Sequence, residues 1–373
     1  MIAVIADDFT GAAELAGISL RYGLKAELCT GDNVATDADV LIVSTDSRSL
    51  NKQAALQVTE QRLKEVLQLN PTFIYKKIDS VLRGYVLDEL QLQMRLQKKS
   101  TAIVLPANPS LQRTISNQQY FVQGKPISET GFANDPEFPA KSSFIKTLLQ
   151  DDTIEVLPHT ATMPSAGIVV AETSTATDVE AWAAKANDET VLAGAGDFYT
   201  ALLQQRYQQQ PQAALQLQTP FLYVSGTAYD QSLQYIQGVH KELQLVNYIG
   251  ENELQNTNVF VDVCAEMLQQ KQKAIIAFDA ARLPDNSAAV ALRTKMAELV
   301  AAIVAKAKPA ELFIEGGSTA TATLEALNIH QLTPVHELTR GVVRMKAGEL
   351  YITVKPGSYE LPKQIKTIVQ QIK

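Results

Sequence analysis

"ADDFTGA", residues 6–12, follows the apolar run Ile2-Ala3-Val4-Ile5 and leads into an apolar helical run from Leu15. A short run rich in branched residues, two adjacent acids and a Thr-Gly turn read as strand, loop and helix, the first unit of a parallel α/β sheet. In such a sheet Asp7 and Asp8 stand at the carboxyl end of a strand, where open α/β folds bind ligands. Asp8 or Thr10 can equally cap the helix. A cap employs one of these residues and leaves the second acid without a local task, so site and cap both stay open here.

Outward from this unit, runs rich in Val and Ile recur at 40–44, 102–105, 168–171 and 191–195. Between them Leu56, Leu63, Val66 and Leu67 fit one face of a helix, as do Leu87, Leu90, Met94 and Leu96. Strands alternating with helices predict a sheet covered on both faces. The stretch 106–143, with five prolines, reads as long loops plus a hairpin around Gly124-Lys125; loops of that length are often functional. "QQRYQQQPQAALQLQT", 204–219, reads as a Gln-rich helix and its tail, broken by Pro211, and is the best linker. A second series follows, with strands at 221–225, 274–278 and 312–315, extended runs near 342–345 and 350–354, and a final helix near 362–372. A chain of 373 residues exceeds the usual span of one core. The expectation is two domains, 1–215 and 216–373, each a largely parallel or mixed sheet flanked by helices.

A formal net charge of −7 argues against a general nucleic-acid or anionic-membrane binder. Cys29 and Cys264 are too far apart for a CxxC motif, and His159, His240, His330 and His336 are scattered, so no disulfide or transition-metal motif is read. Without a signal-like N-terminus or an 18-residue apolar run, the expectation is a cytoplasmic protein with no membrane partner.

The chemistry-bearing motifs fall at strand ends. "YKKIDSVLRG", 75–84, packs Lys76, Lys77, Asp79, Ser80 and Arg83 around a strand end and the next helix start, an anion site or a solvated charged turn. "LPANPSLQRT", 105–114, ends a strand with Asn108 and sets Arg113 beyond it; "VQGKPISETGFANDPEFP", 122–139, adds Thr130, Asn134 and Asp135. Each is ordinary turn chemistry alone; together they supply the polar groups a small polyol-acid site needs. In the second half "YVSGTAYDQ" and "LFIEGGSTATATLEAL" run strand, small-residue turn, helix, and "VKPGSYELP" ends the last extended run on Pro356-Gly357. Such turns let backbone donors approach phosphates, although simple helix entry gives the same pattern. A Walker P-loop and a GxGxxG fingerprint are absent. "LAGAGDFYTALL", 192–203, is similar to the catalytic turn of ribokinase-type sugar kinases but lacks its preceding Asp-Thr, so Asp197 reads as a helix cap.

As an ordered set, ADDFTGA, KKIDSVLRG, PANP with its following Arg, the Gly-Lys-Pro-Ile loop, SGT, GGST and KPG resemble the four-carbon acid sugar kinases. The resemblance implies an N-terminal sugar-acid domain, a C-terminal nucleotide domain and an active site in the interdomain cleft. It implies ATP and Mg²⁺ as cofactors and threonate, erythronate or 3-oxo-tetronate as the class of substrate, with a homodimer only the base-rate expectation. Carried over by motif, Asp8 and Asp79 are the candidate bases. Asp7, Thr10, Lys76, Lys77, Ser80, Arg83, Asn108, Arg113 and Thr130 surround the sugar acid; Ser225, Gly226, Gly316, Gly317, Ser318, Thr319 and Gly357 contact ATP. The resemblance assigns no metal ligand. Ser318 stands where the family often has an acid, and Ser358-Tyr359-Glu360 replaces the frequent xFG after the terminal Pro-Gly. The rival readings are a ribokinase-type kinase using Asp197 and a catalytically silent sugar-acid sensor.

Overall fold

Ile2–Ala6 (β1) is buried at all five positions, so this strand has no solvent face and must be covered on both sides. The computed structural model describes residues 1–31, 36–135, 137–227, 229–279 and 289–371. Two units divide the chain, 1–211 and 212–373.

In the first unit β1 is followed by α1 (Phe9–Arg21), β2 (Ala26–Cys29), β3 (Val40–Ser44), α2 (Lys52–Gln68), β4 (Phe73–Lys77), α3 (Val86–Gln97) and β5 (Thr101–Leu105). A small antiparallel sheet of β6 (Arg113–Ser116), β7 (Gln119–Val122) and β8 (Lys125–Pro126) comes next and contains the expected hairpin at Gly124-Lys125. The unit ends with α4 (Ile145–Leu149), β9 (Glu155–Leu157), β10 (Gly167–Ala171), α5 (Ala176–Ala183), β11 (Thr190–Gly194) and α6 (Gly196–Gln204). Its main sheet runs β2-β3-β1-β4-β11-β5-β10-β9, every pair parallel. Ala3, Ile5, Leu41, Val43 and Ile74 of one face meet Leu63 and Val66 of α2 and Leu92 of α3. On the other face Tyr75 packs against Phe198 and Tyr199 of α6, and Tyr199 reaches Ser19 of α1 at 3.0 Å.

The second unit comprises β12 (Phe221–Ser225), α7 (Asp230–Leu243), β13 (Val246–Ile249), α8 (Glu251–Gln255), α9 (Thr257–Lys271), β14 (Lys273–Phe278), α10 (Ala289–Ala307), β15 (Glu311–Glu315), α11 (Gly317–Ala326), β16 (Gln331–Thr339), β17 (Val342–Ala347), β18 (Leu350–Lys355) and α12 (Lys363–Gln370). Strands β13-β14-β12-β15-β18 are parallel, and β17 and β16 extend the sheet antiparallel. Phe221, Tyr223, Ile275 and Phe313 form its core with Ile236 of α7 and Ile365 of α12. The α/β class and mixed second sheet agree with expectation, whereas β2 and β9 of the first unit and β13 and β16 of the second were not foreseen. In β16 exposed and buried residues alternate around Pro334, which reads against a strand in sequence.

Two readings need correction. The Gln-rich stretch is not helical beyond Gln204, and residues 207–218 carry no regular structure; it offers no apolar stripe for a helix to bury. Asp197 is not the cap of α6, because Ala195 holds that position. Its carboxylate lies inside the first turn and accepts from Ser110 N at 3.0 Å and Ser110 Oγ at 2.7 Å, while its own N–H donates to Asn108 Oδ1 at 2.9 Å. The preceding Gly194 is a packing glycine, since a Cβ there would stand 2.5 Å from Leu105 O and 2.7 Å from Tyr75 Oη.

A methyl group forced against that backbone oxygen costs about 1–3 kcal/mol. Gly194→Ala is therefore expected to lower the urea midpoint, and Gly131→Ala, whose Cβ meets nothing within 4 Å, to leave it unchanged. Identical midpoints for the two variants and the parent would remove the packing account of the Gly-Ala-Gly-Asp turn.

Candidate functional site

Register decides what meets at the top of the first sheet. Ala6 lies opposite Ser44 of β3 on one side and Lys77 of β4 on the other, so the loops leaving three adjacent strands converge. From β1 the chain passes through α1 to β2 on one side, whereas β4 leads through α3 to β5 on the other. Such a divergence of connections is where open α/β sheets place their ligands.

Three of those loops deliver acids and a guanidinium. Arg48, three residues beyond Thr45, donates from Nε and Nη2 to Asp7 Oδ2 at 3.0 and 2.9 Å, and from Nη2 to Asp8 Oδ1 at 3.0 Å. Its Nη1 lies 3.6 Å from Asp79 Oδ1. Asp79 in turn grips Arg83, which donates from Nε at 3.0 Å and from Nη2 at 2.9 Å, and it accepts the backbone N–H of Val81 and Arg83. Arg83 Nη1 continues to Asp135 at 3.2 Å. Phe132 lies beside both Arg83 and Arg113, with ring centroid distances of 5.9 and 5.6 Å, and Arg113 bonds the Ser80 hydroxyl.

Asp8 is both cap and cluster member. Its side chain accepts Gly11 N at 3.1 Å and the Thr10 hydroxyl at 2.5 Å. Gly11 makes the space: a Cβ there would stand 2.6 Å from Asp8 Oδ1 and 2.9 Å from Lys77 Nζ. The two acids are driven apart. Burial pushes the Asp7 carboxyl above its ordinary value despite Arg48. Asp8 is also desolvated, but Arg48, Lys77 and the Thr10 hydroxyl together hold it below the usual value. Asp79 is desolvated as well, and Arg48 and Arg83 hold it well below the carboxylate range. The Asp8 side chain is 19% exposed, against 6% for Asp7 and 9% for Asp79.

The remaining expected residues have local partners. Lys76 alternates to the opposite face from Lys77 and is buried in an ion pair with Glu89 of α3. Lys77 donates to Ile78 O at 3.0 Å and lies 3.8 Å from Glu14. Asn108 serves α6 and bridges backbone to backbone with Arg113. The Thr130 hydroxyl donates to Ile127 O at 2.7 Å. The sequence reading missed Arg48; its one signal is a charged residue just beyond the buried run of β3, the place that Asp7 and Asp79 hold after their own strands.

In the second unit the turns after β12, β15 and β18 meet because these strands are neighbours. Gly226 N donates to Glu315 O at 3.0 Å and Gly316 N to Lys355 O at 2.9 Å. A Cβ on Gly226 would collide with Thr319 Oγ1, and Gly316 has φ +107°. The first intrahelical bond of α11 comes from Ala320 N, so the N–H groups of Gly317, Ser318 and Thr319 have no acceptor one turn back. Beneath the turns Glu315 is fully buried; it accepts from Tyr223 Oη at 2.5 Å, Ser225 Oγ at 3.3 Å and Ser232, and pairs with Lys355 at 2.7 Å. Neither Glu315 nor Ser232 had been singled out in the sequence.

No helix among the described residues is long and apolar enough to cross a membrane. Residues 2–202 match the family model described as Sugar-binding N-terminal domain, and residues 222–359 the one described as Nucleotide-binding C-terminal domain. Over 149 residues the chain is 34% identical to a D-threonate kinase of Salmonella typhimurium, covering 39% of this chain and 35% of that one. Over 159 residues it is 31% identical to a 3-oxo-tetronate kinase of Brucella melitensis, covering 41% and 36%. These matches thus span little more than a third of the length of the curated relatives. A crystal structure from Salmonella typhimurium LT2, under a provisional tRNA synthase designation, superimposes with a TM-score of 0.85 at 18% identity, covering 100% of this chain and 99% of that one, and so shares the fold. With the sugar-binding model covering more than half of the chain and the nucleotide-binding model most of the rest, the chain belongs to the four-carbon acid sugar kinase family.

Proposed function

We propose that this protein transfers the γ-phosphoryl group of ATP to a hydroxyl of a four-carbon sugar acid of the threonate, erythronate or 3-oxo-tetronate type. The observation that carries the reading is the pair of adjacent acids, one pulled up and one held down, beside two arginines at the strand-end divergence of the sugar-binding unit. Neighbouring carboxyls with divergent affinities for a proton are a mark of acid–base sites. The names of the matched relatives support the class of substrate.

In this scheme the acceptor hydroxyl oxygen bonds to the γ-phosphorus as the bond to the β-phosphate oxygen breaks. ADP leaves and the hydroxyl proton passes to Asp8. Asp8 suits the role better than Asp79, whose two oxygens already take Arg83, Arg48 and two backbone N–H groups. Asp79 then holds Arg83, whose guanidinium receives the substrate carboxylate together with Arg113. Phosphoryl transfer depends on positioning and charge neutralisation more than on covalent chemistry by the protein.

The residues of the second unit fit a nucleotide. Glycine at 226 and 357 lets neighbouring turns pack closely together, Gly316 supplies a positive φ at the entry to α11, and the start of α11 offers N–H donors aligned with the helix dipole. Among the described residues no group of three His, Cys, Asp or Glu is placed to hold a metal. Mg²⁺ bound with the nucleotide would neutralise phosphate charge.

Replacing Asp8 by Asn is expected to lower kcat by about 10²–10⁴-fold, the range for a lost general base, with the affinity for MgATP retained in calorimetric titration. Unchanged turnover would reject Asp8 as base. Arg83→Ala is expected to cut kcat/KM for the acid by about 10–100-fold, as for a lost charged hydrogen bond, and to affect an uncharged tetritol far less. Equal losses on both acceptors would contradict carboxylate recognition.

The pH profile gives a separate check. Because Asp8 is held low, its basic form persists into acid, and wild-type kcat/KM should be flat down to about pH 5. Removing the strongest of its attractions in Arg48→Met raises the Asp8 carboxyl, so the acid limb should move to higher pH. A limb that stays put, or moves down, would separate Arg48 from the base.

A further inference from the structure

Lys355 ends β18 and lies directly opposite Glu315, the last residue of β15. Both side chains are completely buried, and Lys355 Nζ stands 2.7 Å from Glu315 Oε1. The ammonium does not stop at that pair. It also donates to the carbonyl oxygens of Pro356 at 2.9 Å, Gly357 at 3.2 Å and Tyr359 at 2.5 Å. Three carbonyls of one turn, those of 356, 357 and 359, are thereby drawn inward around one buried cation, and Tyr359 N closes the turn on Pro356 O at 3.1 Å.

A trans peptide points its N–H opposite to its C=O. Turning those three carbonyls in therefore turns the N–H groups of Gly357, Ser358 and Glu360 out, and adjacent outward N–H groups form an anion-binding concavity. Gly357 packs closely on the turn after β12: a Cβ there would stand 2.7 Å from Thr227 Oγ1 and 3.1 Å from the Tyr229 ring. Glu315 reaches the same neighbourhood, since it holds Ser225 at the end of β12 and Ser232 in the first turn of α7. One buried ion pair thus ties together the turns that follow β12, β15 and β18.

We infer that Lys355, held by Glu315, is a positioning residue that shapes the 356–359 turn into an anion nest for the nucleotide phosphates. This rests on the kinase reading above and adds to it the device that aims the backbone donors. A compact ammonium suits the task because it can share its protons among acceptors on all sides, whereas a guanidinium is a flat fork. Ser225, buried at the end of β12, has its hydroxyl turned down onto Glu315.

The test uses two variants of the whole chain, because removing one member of a buried pair can unfold it. Glu315→Gln/Lys355→Met removes both charges together; Lys355→Arg keeps the pair and changes the shape of the cation. Each is checked for fold by circular dichroism and titrated by calorimetry with MgATP and with adenosine, which has the base and ribose but no phosphate. The expected result in each folded variant is a Kd for MgATP raised at least about tenfold, with adenosine within about twofold of wild type. MgATP affinity within about twofold of wild type, or an equal loss for adenosine, overturns the inference. A wild-type chain that binds adenosine and MgATP alike, or neither, sinks the kinase reading itself.

Discussion

Three carboxylates that meet in a poorly hydrated corner must be neutralised, and the first unit is organised around how that is done. Like charges about 4 Å apart at an effective dielectric near 20 repel by about 4 kcal/mol, a large fraction of a domain's net stability. The parallel register of β3, β1 and β4 brings the following loops together whatever they carry. Given Asp7 and Asp8 on one loop and Asp79 on another, the third has to supply a cation, and Arg48 is that cation. Asp79 has a second partner in Arg83, four residues on, so its negative charge is shared between two guanidinia. Sheet register and site electrostatics are one requirement here, and a change in either disturbs the other.

The second unit meets the same requirement along a single strand. β15 begins with Glu311 and ends with Glu315, both buried. Arg344 of β17 pairs with Glu311 and stacks over Tyr351 at 3.4 Å from the ring centroid, while Lys355 of β18 pairs with Glu315. The choice of cation follows the surroundings. Glu311 presents both oxygens to one neighbour, which suits a fork. Glu315 has already given oxygens to Tyr223, Ser225 and Ser232, which leaves a single approach for a compact ammonium that still has backbone carbonyls to satisfy. Buried pairs of this kind contribute little net stability against apolar replacements. Their place beneath the turns is better explained by the geometry they impose than by the energy they add.

What the sequence made legible is what is local. Runs of Val and Ile marked most strands, and acids or glycines just after them marked the strand ends, because a carboxylate beside an apolar run or a Gly-Gly before a helix is visible within ten residues. Partners set by register were not visible. Arg48 lies some forty residues from Asp7 in the chain, and nothing in "STDSRSL" distinguishes it from a solvated turn until β3 is known to neighbour β1. Asp197 is hidden for a related reason: local sequence sets it only against its own helix, while the residues that engage it, Asn108 and Ser110, come from the loop after β5. Lys76 and Lys77 looked equivalent in sequence; strand alternation sends one to Glu89 beneath α3 and the other toward the start of α1. The β16 strand was hidden by Pro334, since a half-buried antiparallel strand with a bulge tolerates a residue that a central strand would not.

The division of labour between Asp7 and Asp8 follows from counting oxygens. Both oxygens of Asp7 are within hydrogen-bonding distance of Arg48, and its side chain is almost wholly enclosed. A carboxylate so placed can keep a guanidinium in the corner but has nothing left to offer a ligand. Asp8 gives Oδ1 to Gly11 N and Arg48 and Oδ2 to Thr10, and is the most exposed of the three acids. The Thr10 hydroxyl on Oδ2 is the most readily redirected of those attachments, because a hydroxyl rotor can turn to another acceptor while a backbone N–H cannot. In the proposed scheme an incoming substrate hydroxyl would compete for Oδ2 against the one partner that can step aside. A single acid after β1 could brace the arginine or meet a ligand; on the proposed reading, two adjacent acids allow both.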